Sequence, residues 1–206
     1  MSGFYVGTDE LEAIQRRMGG TRKQLLLAYN TALRKTLAQL RREAVAMMID
    51  LTGVKNKKDL GKRIQIHRIG GQSGKLPASG KLWFGLSGMP VSLIDGDITQ
   101  PAERERERDN RGRFVRGRGD RGVTFTPASS ALSPVTFLDA FYGVFRGQEK
   151  LYERIPGSQH LREARLPIAD EVMSKIDRGI FRKANTILMF HFQKELEGLI
   201  ARGYGV

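Results

Sequence analysis

The chain has 206 residues, of which 40% are hydrophobic, and its 35 Lys and Arg against 22 Asp and Glu give a formal net charge of +13. A chain of this size builds a modest core, and its excess positive charge favours polyanionic partners such as nucleic acid or an acidic protein surface. The lack of cysteine excludes disulfides and cysteine metal sites, and no run of about 18 apolar residues is present to span a membrane.

Two helices are predicted at the N-terminal end, within residues 8–52. The first covers residues 8–18, with Thr8 as its N-cap and Gly19 at its end. The second covers residues 21–52 and ends at Gly53; at about 30 residues it spans roughly 45 Å, so it is expected to pack against another long helix or a neighbouring subunit. Its apolar face carries Leu26, Tyr29, Leu33, Leu37, Leu40, Ala44, Met47 and Leu51, and its opposite face carries Arg34, Lys35, Arg41 and Arg42.

Several strands are predicted between residues 64 and 146. Residues 64–69 alternate in hydrophobicity, and residues 81–86 follow as a second strand after a glycine-rich loop. Further strands are predicted around 91–94, at 123–125 and at 140–146. A short helical turn is predicted at 57–63, and a long charged insertion at 95–122 interrupts the sheet region.

The C-terminal part is predicted to be irregular over residues 156–167 and helical over 168–202. Pro167 suits a first helical turn, and Asp170 and Glu171 follow where the helix dipole favours acids. Long helices at both ends of a strand region predict an α+β fold, a single domain over 1–206 whose helices pack on a small antiparallel sheet. One face of the terminal helix carries Ile176, Ile180, Ala184, Leu188, Phe192, Leu196 and Leu199, and Gly203 lies past its end.

The insertion is the most unusual stretch, because residues 102–122 hold eight arginines, five acids and no lysine. Glu and Arg alternate over 103–108, so a strand would carry the two charges on opposite faces. Asn110, Arg111 and Gly112 are suited to a hairpin turn. One hypothesis is a solvated, disordered loop; the other is a hairpin that becomes ordered on assembly and binds nucleic acid or an acidic partner. The arginines that would bind are Arg104, Arg106, Arg108, Arg111, Arg113, Arg116, Arg118 and Arg121.

No constellation of residues nominates an enzyme, a cofactor site or a metal site. Residues 117–122 match the glycine pattern of a dinucleotide-binding loop, but a strand and not a helix is predicted after them. Residues 69–76 resemble a phosphate loop but have Leu76 where a hydroxyl residue is needed. The 118–120 tripeptide matches an adhesion motif that an Arg- and Gly-rich stretch produces by chance. Asp95 and Asp97 flank a glycine and are interpreted as a turn, and the three histidines lie far apart.

Aromatic pairs occur at Trp83-Phe84 and Phe141-Tyr142. Such side chains stack on nucleic-acid bases in many binding proteins. Their position inside predicted strands favours packing in the hydrophobic core instead.

The order of these pieces resembles the minor tail protein Z family of long-tailed bacteriophages, a group of tail-completion proteins. A basic helix (AYNTALRKTLAQLRREA) is followed by RIQIHRI and KLWFGLS as strands, a variable arginine-rich stretch, FLDAFYGVFRGQEKLYERI, and RLPIADEV leading into a long helix. The similarity covers most of residues 21–200 and rests on order and spacing. The acidic content of residues 103–109 departs from the purely basic or shorter stretch expected there.

This resemblance implies a structural virion protein of the tail or neck, assembled in the host cytoplasm, with no cofactor and no catalytic residues. It implies a ring, expected to be a hexamer, that joins the tail to the head connector, contacts tail-tube or tail-terminator proteins and touches the genome end non-specifically. The alternative is a stand-alone basic nucleic-acid-binding protein that uses the 21–52 helix and the arginine-rich stretch. The residues expected to pack between subunits of a ring are Leu26, Leu33, Leu37, Leu40, Ile180, Leu188 and Phe192.

Overall fold

The computed structural model describes residues 8–69, 79–100, 110–111, 122–138, 140–145, 148–155, 158 and 160–204. These residues form the predicted α+β fold, with long helices near both ends and small antiparallel sheets between them. The helices are α1 (Thr8–Met18), α2 (Arg22–Thr52), α3 (Lys58–Gly61), α4 (Ala169–Lys175) and α5 (Arg182–Ala201). The strands are β1 (Ile64–Ile69), β2 (Ser79–Phe84), β3 (Met89–Pro90), β4 (Gly96–Thr99), β5 (Val123–Pro127), β6 (Val135–Phe137), β7 (Ala140–Phe145), β8 (Gln148–Arg154), β9 (Leu161–Glu163) and β10 (Arg165–Leu166).

The chain divides into two compact units, whereas the sequence predicts a single domain. The helical unit comprises residues 1–48, 57–85 and 170–206, and the sheet unit comprises 49–56 and 86–169. The chain crosses between the units four times, at 48/49, 56/57, 85/86 and 169/170, so neither unit is a continuous stretch of sequence set off by one linker, which is the signal by which a sequence indicates separate domains.

The ends of the helices are set by local sequence. Thr21 Oγ1 accepts a hydrogen bond from the Gln24 backbone N–H at 3.2 Å, and Gln24 Oε1 accepts one from the Thr21 N–H at 2.8 Å. This reciprocal pair is a capping box, which satisfies two backbone donors at the start of α2. Gly19, Gly53 and Gly203 have positive φ angles of 70°, 62° and 60°, as expected of glycines that follow helix ends.

The core of the helical unit is formed by apolar side chains of α1, α2 and α5. Burial of these stripes against one another is the main source of stability for helices of this kind. The residues predicted to pack between subunits are therefore core residues of one chain, and no exposed apolar surface remains at those positions. These buried residues are Leu26, Leu33, Leu37, Leu40, Ile180, Leu188 and Phe192.

Seven of the eight residues predicted for the apolar face of α2 are buried, and Leu25, Ala28, Ala32 and Thr36 widen that face. Met48 is fully buried, whereas Met47, which was predicted to face the core, is only partly buried. Both methionines fit a step of three or four residues from Ala44, so periodicity alone does not distinguish them.

The C-terminal helix is interrupted by a turn of π-helix, Ile176–Phe181, between α4 and α5. Its buried residues recur every four positions from Val172 to Leu196, which is longer than the 3.6-residue turn of an α-helix. Residues spaced by four shift gradually around the axis of an α-helix. The wider π turn reduces this shift, so that the buried side chains stay on one face. The predicted continuous helix over 168–202 is therefore corrected to three segments, and the first begins at Ala169.

In the helical unit, β1 and β2 form an antiparallel hairpin that packs on α2. The register pairs Ile64 with Phe84 and Ile69 with Ser79. A Cβ atom built on Gly80 would lie 2.5 Å from Leu37 Cδ1, so only glycine allows the strand to approach the helix this closely. The Phe84 ring meets Phe181 of the π turn edge to face, with ring centroids 6.3 Å apart.

The sheet unit contains two three-stranded sheets, β4-β5-β6 and β7-β8-β9, and the two-stranded pair β3-β10. The sequence predicted one sheet and missed β3, β4, β6, β8, β9 and β10. Residues 91–94 were predicted as a strand, but Val91–Leu93 is a short 3-10 helix. The Asp95-Gly96-Asp97 segment was predicted as a turn, but Gly96 begins β4, and the supposedly irregular 156–167 contains β9 and β10. The missed strands other than β8 have two to four residues, too few for an alternating pattern to show. Strand β8 has seven residues, but its two apolar residues, Leu151 and Tyr152, are adjacent and do not alternate.

Candidate nucleic-acid or partner interface

The arginine-rich stretch joins two strands that pair with each other. Strands β4 and β5 are antiparallel, and the last pair before the stretch is Thr99 with Thr124. The insertion predicted at 95–122 is therefore shorter, at 100–122, because its first residues belong to β4. On the other side of β5, the hydroxyls of Thr124 and Thr136 are 2.8 Å apart and hydrogen-bonded, which ties β5 to β6.

Only one of the eight predicted arginines is within the part of the chain that the structure describes. Arg111 is exposed and lies in a turn with Asn110, where the sequence predicted one. The other seven, Arg104, Arg106, Arg108, Arg113, Arg116, Arg118 and Arg121, lie outside the described residues. The 118–120 tripeptide and residues 70–76 of the segment that resembles a phosphate loop also lie outside them.

The net positive charge is concentrated in the helical unit and not in the unit that carries the arginines. The helical unit has 21 Lys and Arg against 10 Asp and Glu, a net charge of +11. The sheet unit has 14 Lys and Arg against 12 Asp and Glu, a net charge of +2. Acids within and around the arginine-rich stretch neutralise most of its charge, so the stronger attraction for a polyanion lies with the helical unit.

Some basic residues of the helical unit hold the fold together. Arg41, predicted to lie on the face of α2 opposite the apolar one, donates hydrogen bonds to the carbonyls of Ile64 at 2.9 Å and Gly61 at 3.3 Å, which fixes the start of β1 on α2. Lys35 forms an ion pair with Glu195 that links α2 to α5. Such an exposed pair contributes about 0–1 kcal/mol to stability.

The outer face of the β1–β2 hairpin carries Gln65, His67, Lys81 and Trp83. Gln65 is paired with Trp83 and His67 with Lys81, so the four side chains project from the same side. All four are exposed, and Trp83 is 41% exposed. The prediction that Trp83 belongs to the core is therefore wrong, although Phe84, one residue on, does pack inward against Phe181.

Trp83 lies beside an arginine at the base of the hairpin. A Cβ atom built on Gly85 would be 2.9 Å from Trp83 Cη2 and 3.6 Å from Arg63 Cα, so the indole covers Gly85 next to Arg63. Arg63 Nη1 donates a hydrogen bond to the Gly85 carbonyl at 3.1 Å. The Gln65 side chain donates one to the Lys62 carbonyl at 2.9 Å. The indole is held against backbone and still exposes much of its surface.

The second aromatic pair has a structural role in the sheet unit. Phe141 and Tyr152 face each other across β7 and β8, with ring centroids 6.1 Å apart, and Tyr152 is buried. Tyr142 is partly exposed, and Val144 on the same side of β7 is 69% exposed. The predicted core role of this pair thus applies to Phe141 more than to Tyr142.

Polar contacts in the sheet unit form a small network around Glu163. Its carboxylate accepts a hydrogen bond from the Ser92 hydroxyl and forms an ion pair with Lys150, with Nζ and Oε2 3.0 Å apart. Arg162 pairs with Glu153 across β8 and β9, with Nη2 and Oε2 2.8 Å apart. These contacts join β9 to its neighbour β8 and to the short 3-10 helix Val91–Leu93.

The described residues contain no group of three or more His, Cys, Asp or Glu side chains placed to hold a metal ion. The glycine pattern at 117–122 is followed by strand β5 and not by a helix, so the helix N-terminus needed to hold a pyrophosphate is missing there. Within the described part of the chain, no helix is long and apolar enough to cross a membrane.

His191 is a residue of α5 and contacts α2, where its Nε2 is 3.1 Å from Gln39 Oε1. Burial lowers the pKa of His191 below its ordinary value of 6.5, the charge of Lys35 lowers it further, and Glu195 opposes the shift. A depressed pKa means that the unfolded chain binds this proton more readily than the folded chain does. Stability is therefore expected to fall as the pH drops below 6.5.

Replacing His191 with Gln, which keeps a polar side chain beside Gln39, should remove this contribution. We expect the loss of thermal stability between pH 7.5 and pH 5.5 to be smaller in His191→Gln than in the unmodified protein, as measured by calorimetry. An equal loss in both proteins would show that protonation of His191 does not affect folding.

Comparisons of this chain with protein-family models, with curated proteins and with solved structures found no match.

Proposed function

We propose that this protein is a structural component of a long bacteriophage tail, a tail-completion or neck protein that assembles into a ring and joins the tail to the head connector. In this role it contacts tail-tube or tail-terminator proteins, works in the virion and needs no cofactor. The genome end is a non-specific contact of the same assembly.

The observation that carries the proposal is the order of elements. The sequence pieces that resemble the minor tail protein Z family fall on α2, on β1 and β2, on the β6–β8 region and on β10 with the start of α4. The arginine-rich stretch lies between the second and third of these, at the end of the β4–β5 pair. The stretch has 23 residues, 100–122, and connects the end of β4 to the start of its partner β5. A long connection of this kind suits an arm that contacts a neighbouring subunit.

A ring of this protein needs a contact surface other than the apolar stripes of α2 and α5, because those are buried within one chain. The alternating charges of residues 103–108 offer such a surface, since complementary charges set the register between subunits. We therefore expect the arginine-rich stretch to be protected from trypsin in the assembly and cleaved in the monomer. Equal cleavage rates in both would exclude its role in assembly.

The first test is the mass of the purified protein by light scattering, alone and with short duplex DNA at low and moderate salt. The proposal predicts a discrete oligomer, with DNA affinity that is weak at moderate salt. A monomer or dimer that binds duplex DNA tightly, with a steep dependence on salt, would replace it with the alternative function of a stand-alone nucleic-acid-binding protein.

Replacing Arg111, Arg113, Arg116 and Arg118 together with Gln should leave the thermal midpoint within a few degrees and weaken oligomer formation at least tenfold. We expect the fold to be spared because these residues fall in the sequence between β4 and β5, and Arg111, the one among the described residues, is exposed. A matched control replaces four exposed arginines of the helical unit, Arg16, Arg17, Arg178 and Arg182, with Gln. Equal oligomer formation by both variants would contradict the proposed role of the stretch.

The alternative has one specific observation in its favour, which is the net charge of +11 on the helical unit. A net positive charge of this size attracts nucleic acid whether or not the protein forms a ring.

A further inference from the structure

We propose that the outer face of the β1–β2 hairpin binds single-stranded DNA, with Trp83 stacking on an unpaired base and Lys81, Lys62 and Arg63 contacting the flanking phosphates. This inference does not depend on ring formation or on the arginine-rich stretch, and it places nucleic-acid contact on the helical unit.

The first observation behind it is an exposed aromatic ring on a paired strand. Trp83 is 41% exposed although indole is among the side chains that gain most from burial. It lies close against Gly85, where a Cβ atom would be 2.9 Å from Cη2 of the ring. A ring held in this way loses little conformational freedom when a base stacks on it.

The second observation is the charge around that ring. The hairpin residues 62–69 and 79–85 include Lys62, Arg63, Arg68 and Lys81 and no acid. Lys81 and Trp83 share the outer face, and Arg63 lies beside the indole. Positive side chains spaced around a stacking platform are the usual composition of sites for single-stranded nucleic acid.

Single strands fit this face better than duplex. The bases of a duplex are already stacked on one another, so a ring on a flat strand surface reaches only their edges, and a single strand offers its base faces directly. We take DNA as the ligand, and an RNA strand of the same length is the comparison that tests this choice.

Trp83 also reports on its own site, because it is the only tryptophan in the chain. We expect twenty-residue oligo-dT to quench its fluorescence on titration, with a matched duplex producing a much smaller change. Unchanged tryptophan emission while labelled oligo-dT binds, as seen by anisotropy, would overturn the proposal, and so would a complete lack of binding. Tighter binding of oligo-rU than of oligo-dT would overturn the assignment to DNA.

Separate variants test the role of the indole ring of Trp83 and the role of the positive charges beside it. Trp83→Ala should weaken oligo-dT binding roughly 5- to 100-fold, whereas Trp83→Phe, which keeps a ring, should weaken it by less than about threefold. Lys81→Gln should reduce the slope of log affinity against log salt by about 0.7. The matched control Phe190→Ala removes another exposed aromatic side chain of the helical unit and should leave binding unchanged.

Circular dichroism on each variant separates loss of binding from loss of fold. If Trp83→Ala does not fold, Trp83→Phe and Lys81→Gln carry the test. Full affinity in the Trp83 and Lys81 variants, together with loss of binding in the four-arginine variant, would place the DNA contact in the arginine-rich stretch and reject this inference. Oligomer formation by light scattering is scored separately, so failure here leaves the proposed function standing.

Discussion

Replacing Leu37 with Asp is expected to unfold the helical unit or leave it insoluble. Leu37 is fully buried in the cluster that joins α1, α2 and α5, and it contacts Gly80 of β2. Truncating such a leucine to Ala alone costs about 2–5 kcal/mol. An unpaired carboxylate at the same place adds a desolvation cost of several kcal/mol, which together reach the whole stability of about 5–15 kcal/mol of a typical domain.

The measurement is circular dichroism and urea denaturation of Leu37→Asp beside Ala46→Asp, which introduces the same charge at an exposed position of α2. The control should lose about 1 kcal/mol or less, since only helix propensity changes. Leu188→Asp on α5 is expected to behave like Leu37→Asp, because Leu188 belongs to the same cluster. Native-like spectra and cooperative unfolding of both core variants would contradict the assignment of these faces.

Replacing Gly96 with Ala is expected to destabilise the sheet unit by pushing β4 away from β5. A Cβ atom there would lie 2.4 Å from the Thr126 carbonyl oxygen and 2.9 Å from Pro127 Cα. Both are backbone atoms, so no side-chain rotation relieves the clash. We expect a loss at or above the upper end of the roughly 1–3 kcal/mol typical of overpacking, together with faster hydrogen exchange at the β5 amides that pair with β4.

Gly143→Ala is the matched control, because it adds the same methyl group to a strand of the same unit. The nearest atom to a Cβ on Gly143 is 3.6 Å away, in the Phe141 ring, which is an ordinary contact distance. The change should be neutral or stabilising by roughly 0.5–1 kcal/mol, since alanine is less flexible than glycine in a strand. A loss in Gly143→Ala as large as that in Gly96→Ala would refute the close approach of β4 and β5.

The Gly96 result also bears on the proposed function. The arginine-rich stretch begins and ends at the β4–β5 pair, so loosening that pair frees its two ends. If the stretch serves assembly, Gly96→Ala should impair oligomer formation while the single-stranded DNA site, which lies on the helical unit, keeps its affinity. The two proposals can thus be separated with one variant.

The exposure of Trp83 could have been predicted from the alternation of side chains along its strand. In the segment Lys81-Leu82-Trp83-Phe84, a strand must place Trp83 on the same face as Lys81 and opposite Leu82. Since lysine is seldom buried, that pattern indicates an exposed tryptophan. The prediction of core packing followed the general preference of aromatic residues for the interior and not the position of this one.

The sequence by itself determined the long helix α2 and its ends, the helical character of the C-terminal region, and the strands β1 and β2. These features depend on signals confined to neighbouring residues: apolar steps of three or four, a Thr and Gln in a capping box, and glycines that adopt positive φ after a helix. The α+β class followed from their order.

Only the tertiary structure decided the short strands, the choice of Met48 over Met47, the π turn before α5 and the division into two units. Strands of two to four residues, such as β3, β4, β9 and β10, form because distant segments supply their hydrogen-bond partners, and nothing within so few residues specifies that pairing. The buried methionine and the π turn are likewise chosen by the partners each helix packs against. The net charge of each unit depends on which segments the fold brings together, so the sequence alone did not give it. Because the helical unit carries most of the positive charge, we expect the nucleic-acid contact on the face that carries Trp83 and not in the arginine-rich stretch.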